Sequence, residues 1–307
     1  MTMKDFIDIA AFSEQELLGL LHRAAADKKL FQAGRLPASC PLKILALIFE
    51  KQSLRTRVSF EAGIVQLGGY AIALTNTDIG LGTREPVADV ARVLGRMCDA
   101  VAARTYSHQT ITELAKFCPK PVINALSDYS HPCQAMADMM TARELLGEMR
   151  GRKWAFVGDG NNVARSLAML CAKLGVEFVL ACPKGYELDQ AFVAALPMAA
   201  KFSMLHDAQA AVAGAAVVYT DTWTSMGQED QKGSRQKAFQ PFQVHEKLVQ
   251  AAPKEAIVLH CLPAYRGSEI TDAVMEAHAE SIFTEAENRL HFQRSLLNVL
   301  IAEGGIK

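Results

Sequence analysis

Lys43-Ile44-Leu45-Ala46-Leu47-Ile48-Phe49 runs directly into Glu50-Lys51-Gln52-Ser53-Leu54-Arg55-Thr56-Arg57-Val58-Ser59-Phe60-Glu61, and the change of pattern at that join decides the fold. The first of these segments is an apolar run of strand length. From Leu54 onward the apolar residues Val58, Ala62, Val65 and Leu67 recur at helical spacing until Gly68-Gly69 stops them. A strand therefore hands over to a helix, with Ser53 suited to the N-cap. The first turn of such a helix exposes backbone N–H groups and the positive end of the helix dipole, and here two hydroxyls and two guanidiniums join them within five residues. The two hydroxyls, Ser53 and Thr56, and the Arg55 guanidinium thus form a cradle for a phosphate. Arg57 points away from Arg55 and is expected to pair with Glu61 one turn on.

The same rhythm extends both ways along the chain. Upstream, Ser13-Glu14-Gln15-Glu16 is a capping box for a helix with Leu17, Leu20, Leu21 and Ala24 on one face. Downstream, strands are expected at residues 70–75, 100–103 and 121–126, and in the second half at 154–157, 177–181, 217–220 and 256–259. Helices fill most of the intervals. One begins at Pro132, a residue suited to the first helical position, and the last, at about 285–302, carries Arg289 near its start. Residues 76–85 form a polar, glycine-containing connection, long enough to suggest a binding or subunit-contact role. Strand and helix alternating twice over predicts two doubly wound α/β lobes with parallel sheets and the active site in the cleft between them. Arg104, His131, Asn162, Asp221, Cys261 and the cradle each fall at or just beyond the carboxyl end of an expected strand, the edge where open α/β sheets bind ligands.

Composition narrows the function. With 307 residues the chain suggests two domains, each able to bury a core. A net charge of -1 with no basic stripe argues against nucleic acid. The seven cysteines are odd in number and contain no CxxC pair, so they read as free thiols in a reducing compartment. No apolar stretch approaches the roughly 18 residues that span a bilayer, and residues 1–12 lack the pattern of a secretory leader, so a cytoplasmic location without membrane contact is expected.

Gly158-Asp159-Gly160 invites a dinucleotide reading, but Val163 occupies the third glycine position and the next strand ends in Ala181-Cys182-Pro183 without a ribose-binding acid. No GxxxxGK[ST] loop is present. His131 with Cys133, and His260 with Cys261, are two close pairs far apart in sequence, not a four-ligand zinc pattern, so no metal is expected. His131 and Arg104 share the cradle's rim and could polarise a carbonyl and stabilise a developing oxyanion. Asp221 could cap a loop or grip an ammonium.

Together these motifs resemble the aspartate/ornithine carbamoyltransferase family over nearly the whole chain, and the ornithine branch in particular. Its Ser-Thr-Arg-Thr-Arg signature stands here as Ser53-Leu54-Arg55-Thr56-Arg57 and its His-Pro-x-Gln as His131-Pro132-Cys133-Gln134. Asp221 with Ser225-Met226-Gly227, and His260-Cys261-Leu262-Pro263, resemble the ornithine branch; an aspartate enzyme would carry His-Pro-Leu-Pro at the latter position. The resemblance implies a carbamoyl phosphate-binding domain, residues 1–147 joined by the C-terminal helix at about 286–307, and an ornithine-binding domain, residues 148–285. Ser53, Leu54, Arg55, Thr56, Arg104, His131, Gln134, Cys261, Leu262 and Arg289 would address carbamoyl phosphate, with Cys261 and Leu262 also lining the approach of the amine. Asn162, Asp221, Ser225 and Met226 would bind ornithine. Arg55, Arg104, His131, Asp221 and Cys261 would carry the chemistry, without a cofactor. A homotrimer is implied, with the loop around Gly80 reaching a neighbouring subunit.

Two positions depart from the family pattern: Leu54 replaces a threonine, and Gly80 stands where many relatives carry glutamine. They are the support for one alternative, a carbamoyl phosphate-binding paralogue without turnover; a second, a transferase with acetylornithine, putrescine or aspartate as acceptor, is opposed by Asp221 and Cys261. The expected chemistry is attack of a neutral δ-amine on the carbonyl of prebound carbamoyl phosphate. An alkyl ammonium titrates near ~10.4, so the site must favour the deprotonated form and activity should rise toward alkaline pH.

Overall fold

The computed structural model describes residues 4–224 and 229–306. It divides into two compact units: one runs to Met140 and resumes at Glu287, and the other is Thr141–Ala286. The divisions fall inside two helices, the first a few residues before the glycine-bearing join at 147–152.

In the first unit α1 (Glu14–Gln32) begins at the capping box, where Ser13 Oγ accepts from the Glu16 N–H and Glu16 accepts from the Ser13 N–H. It is followed by β1 (Ile44–Phe49), α2 (Leu54–Gln66), β2 (Tyr70–Thr75), α3 (Asn76–Ile79), α4 (Val87–Met97), β3 (Ala100–Arg104), α5 (His108–Phe117), β4 (Val122–Leu126) and α6 (Pro132–Leu146), which crosses into the second unit. The four strands are parallel in the order β2-β1-β3-β4. Ala46, Ile48, Val101, Ala103 and Val122 form one sheet face, and Val90, Ala91, Ile111 and Leu114 of α4 and α5 close over it.

The second unit contains β5 (Lys153–Val157), α7 (Asn162–Leu174), β6 (Glu177–Ala181), α8 (Gln190–Ala195), β7 (Phe202–Leu205), α9 (Ala208–Val212), β8 (Ala215–Thr220), α10 (Lys232–Phe239), α11 (Glu246–Val249), β9 (Ile257–His260), α12 (Asp272–Ala277) and the start of α13 (Ala279–Leu297). Its five strands are parallel in the order β7-β6-β5-β8-β9. The central strands are buried on both faces, as parallel sheets require. Ala155, Val157, Val179 and Val218 pack under α9, α11 and α12, while Trp154, Phe156 and Tyr219 cluster on the other side of the sheet. The doubly wound parallel architecture is therefore as the alternation predicts.

Four local expectations need correction. The apolar stripe on α2 is not its buried face: Val58 is 54 % and Val65 60 % exposed, whereas Thr56, Ser59, Phe60, Gly63 and Ile64 are buried. Small and hydroxyl-bearing residues face inward because α13 passes close by. A Cβ on Gly63 would lie 3.4 Å from the Arg294 backbone. The 76–85 connection contains α3 and a bridge from Leu81 to Glu85. Strand β7 carried too weak a pattern to be expected, with Ser203 and Met204 interrupting a run of four residues. Finally, α13 begins at Ala279, well before 285, and continues as a π-helical turn at Asn298–Ala302.

Candidate active site

Beyond the carboxyl end of β1 the chain turns through Glu50–Gln52 into α2, and Ser53 caps that helix by accepting from the Thr56 N–H at 3.3 Å. Two bonds hold the turn against β3: the Glu50 N–H donates to the Arg104 carbonyl, and the Glu50 carboxylate accepts from the Tyr106 N–H at 2.7 Å. Lys51 lies 4.5 Å above the Tyr106 ring, and burial together with Arg104 holds its ammonium below the usual lysine value. The cradle and Arg104 are thus fixed to each other by backbone contacts at one edge of the sheet.

Thr56, wholly buried, is the centre of this group. Its Oγ1 accepts from Ser53 Oγ at 3.0 Å and from Arg289 Nη2 at 3.0 Å, and Arg104 Nη1 lies at 3.5 Å, the limit for such a bond. Three donors, two of them cationic, thus converge on one hydroxyl oxygen. The arrangement is rich in donors and in positive charge, which suits an anion. His131, four-per-cent exposed, lies on the same rim. Burial, reinforced by Arg289 and Arg104, holds its imidazole well below the usual 6.5, so at neutral pH it is uncharged and acts as a hydrogen-bonding group. Gln134, one turn into α6, donates to Asp138 at 2.7 Å. Burial pushes the Cys133 thiol up to about 12, which leaves it an inert packing group. As expected, Arg57 turns outward to Glu61 at 2.9 Å.

In the second unit the polar groups gather at the ends of β5, β8 and β9. Asp221, directly after β8, has both carboxylate oxygens engaged: Oδ1 accepts from the Thr222 N–H at 2.7 Å and from the Cys261 thiol at 3.0 Å, and Oδ2 accepts from Asn161 Nδ2 at 2.8 Å. Of the two meanings that the sequence allowed for Asp221, the loop cap is present in the bond from the Thr222 N–H, and the carboxylate is fixed at the sheet edge by Cys261 and Asn161. Asn162 is the first residue of α7, and Leu262 follows Cys261 in the left-handed region with φ of 57°. Asp221, His260 and Cys261 bring candidate metal-ligand atoms within 4.8 Å of one another. The histidine is committed elsewhere: its Nδ1 accepts from the Leu262 N–H at 2.9 Å, which puts the ring proton on Nε2, 3.2 Å from Glu269. A metal would have to break one of those buried bonds.

The sequence did not reveal the partner of Asp159. Arg235 of α10 pairs with it while donating Nε–H to the Trp223 carbonyl at 2.5 Å, and its guanidinium plane lies 4.9 Å from the Tyr186 ring. Burial pushes the Asp159 carboxyl up to about 6 against the opposing pull of Arg235. An arginine in the polar run 229–237 gives no signal of burial, and nothing in the sequence marks Asn161 as the residue that bonds Asp221. Ser225 and Met226, expected at the amino-acid end, lie outside the described residues.

A donor-rich helix N-terminus at one sheet edge and a braced carboxylate at the edge of a second parallel sheet place the chain in the class of α/β proteins with polar sites at the carboxyl ends of their strands. Comparison with known proteins gives the particular family. The model for the aspartate/ornithine carbamoyltransferase carbamoyl-P binding domain matches residues 4–144, and that for the Asp/Orn binding domain matches residues 150–300. The chain belongs to the aspartate/ornithine carbamoyltransferase family. It is 46 % identical to an ornithine carbamoyltransferase of Anoxybacillus flavithermus over 97 % of this chain and 96 % of the relative. A solved ornithine carbamoyltransferase from Pyrococcus furiosus superposes with a TM-score of 0.93 at 43 % identity, covering 99 % of this chain and 98 % of that one. An anabolic ornithine carbamoyltransferase from Campylobacter jejuni gives 0.92 at 41 % identity, covering 97 % and 99 %.

Proposed function

We propose that the chain transfers the carbamoyl group of carbamoyl phosphate to the δ-amine of L-ornithine, giving L-citrulline and phosphate. The observation that carries the residue assignment is the convergence of Ser53, Arg289 and Arg104 on the Thr56 hydroxyl, because it concentrates charge-assisted donors at a helix N-terminus. On this reading Ser53, Arg55, Thr56, Arg289 and the Leu54 N–H hold the phosphate. Arg104, neutral His131 and Gln134 address the carbamoyl end. Asn162 and Asp221, with Ser225 and Met226, take the amino acid, and Cys261 and Leu262 border the reacting amine.

The chemistry follows from those placements. The δ-amine attacks as the free base, forming a C–N bond as the carbonyl π-electrons move onto oxygen. Arg55, Thr56, Arg104 and His131 donate to that oxyanion. Its collapse breaks the C–O bond to phosphate, which leaves with the electron pair and takes up the proton shed by the attacking nitrogen. A neutral His131 suits this role, since it supplies a hydrogen bond without competing with the guanidiniums for charge. Phosphate is already a good leaving group, so the reaction as written needs no cofactor. The relative from C. jejuni described as anabolic supports a place in arginine synthesis. The wider reading also assigns a homotrimer, with the loop around Gly80 reaching a neighbouring subunit, and a cytoplasmic setting, which the seven free thiols suit. Among the described residues no helix is long and apolar enough to cross a membrane.

The test is an acceptor survey with purified protein and carbamoyl phosphate. Turnover with ornithine, and little with N-acetylornithine, putrescine or aspartate, is the expected pattern. Silence with every acceptor, while carbamoyl phosphate still raises the melting temperature, would leave a binding protein.

A further inference from the structure

The Asn161 side chain does two things at once. Its Oδ1 accepts from the N–H groups of Val163 and Ala164, both at 3.0 Å, and so caps α7; its Nδ2 donates to Asp221 Oδ2 at 2.8 Å. These bonds fix the orientation of the amide, because only oxygen can meet two N–H groups and only nitrogen can meet a carboxylate. Asparagine is the common N-cap that carries its acceptor and its donor on separate atoms, so that one can cap while the other reaches a second group; a serine hydroxyl combines both on a single oxygen. Serine or aspartate would cap the helix equally well.

The consequence lies in what the two ends hold. Asp221 comes from the end of β8, and Asn162 from the first turn of α7. One amide therefore ties the carboxylate that would receive an ammonium to the helix start that carries the neighbouring ligand. The opposite side of Asp221 is held by Cys261 and Thr222, so removing the Asn161 donor would leave the carboxylate pivoting about Oδ1. We propose that Asn161 is the positioning residue of the amino-acid half-site, orienting Asp221 for the ammonium of the acceptor without touching substrate itself. This rests on the function proposed above.

The experiment separates capping from positioning. Asn161→Ser keeps the cap and removes the amide nitrogen that bonds Asp221, whereas Asn161→Asp keeps cap and shape but sets a second carboxylate against Asp221. In Asn161→Ser the KM for ornithine should rise about tenfold, the worth of one hydrogen bond to a charged group, while the KM for carbamoyl phosphate stays within about twofold and the melting temperature is unchanged. In Asn161→Asp two carboxylates at that distance share a proton, so the defect relative to wild type should be mild near pH 6 and grow toward pH 8.5. Binding of L-norvaline, which has the α-amino acid end and no reactive amine, in the presence of carbamoyl phosphate should weaken in parallel. Wild-type ornithine KM in both variants, or an equal rise in both substrates' KM values, would overturn the assignment. A wild-type protein that neither forms citrulline nor binds norvaline would instead overturn the function on which it rests.

Discussion

Arg289 Nη2 donates to the Thr56 hydroxyl at 3.0 Å, joining residues 233 positions apart in the chain within one buried cluster. The C-terminal helix thereby joins the cluster proposed to hold the anion, although the motif of that cluster lies near the N-terminus. Arg289→Met should raise the KM for carbamoyl phosphate by about 10- to 100-fold, the worth of a charge-assisted hydrogen bond, with a much smaller effect on ornithine. Thr56→Val, nearly isosteric, removes the shared acceptor and should give a similar defect together with lower stability. Steady-state kinetics with each substrate varied would show a balanced loss if Arg289 served structure alone.

His131 predicts a pH dependence of stability. Its folded-state pKa is depressed, so the stability this residue allows is fully present above about 6.5, the unfolded value, and is lost as pH falls from there toward the folded one. The slope from this one group is at most about 1.4 kcal/mol per pH unit. Thermal unfolding of wild type should weaken between pH 7 and pH 5.5, and His131→Asn should show a shallower fall. Equal slopes would mean that His131 takes up its proton in the folded state.

Much of this was legible before any coordinates. β1 into α2 was marked by a change of period, by Ser53 and by Gly68-Gly69, and the clustering of Ser53 and Thr56 at the helix start was marked by the capping pattern. What was not legible depends on tertiary contact. The buried face of α2 mixes Thr56, Ser59 and Gly63 with Phe60 and Ile64, because α13 packs close at Gly63, and no pattern local to residues 54–66 announces that neighbour. Arg235 lies in a run of charged and amide residues, yet it is 4 % exposed because Asp159, the Trp223 carbonyl and two aromatic rings receive it. Of the adjacent asparagines 161 and 162, the sequence could not tell which one caps.

The two family departures should behave differently. The Leu54 side chain is 73 % exposed, so Leu54→Thr should leave the melting temperature unchanged. The added hydroxyl should lower the KM for carbamoyl phosphate several-fold. An unchanged KM would show that the Leu54 N–H alone serves the site.

Gly80 has a local reason to be glycine. Its φ is +61°, and a Cβ there would stand 2.7 Å from the Arg84 Cβ. Gly80→Gln should therefore cost roughly 1–2 kcal/mol, read as a lower unfolding temperature, and should not raise turnover. A stable, faster Gly80→Gln variant would mean that the 76–85 turn rearranges freely.

Breaking the Asp159–Arg235 pair should be severe, because Arg235→Met leaves a buried carboxylate unpaired. A fall in unfolding temperature on the order of 10 °C is expected, with much of it recovered in the double variant with Asp159→Asn. Additive losses would show that the two side chains contribute independently.

The central claim is carbamoyl transfer to the δ-nitrogen, and the most direct measurement follows the carbon itself. With carbonyl-¹³C carbamoyl phosphate and ornithine, NMR should show the label entering the ureido carbon of citrulline as phosphate is released in equal amount. Label appearing only as carbonate at the uncatalysed rate, with ornithine unchanged, would contradict the account.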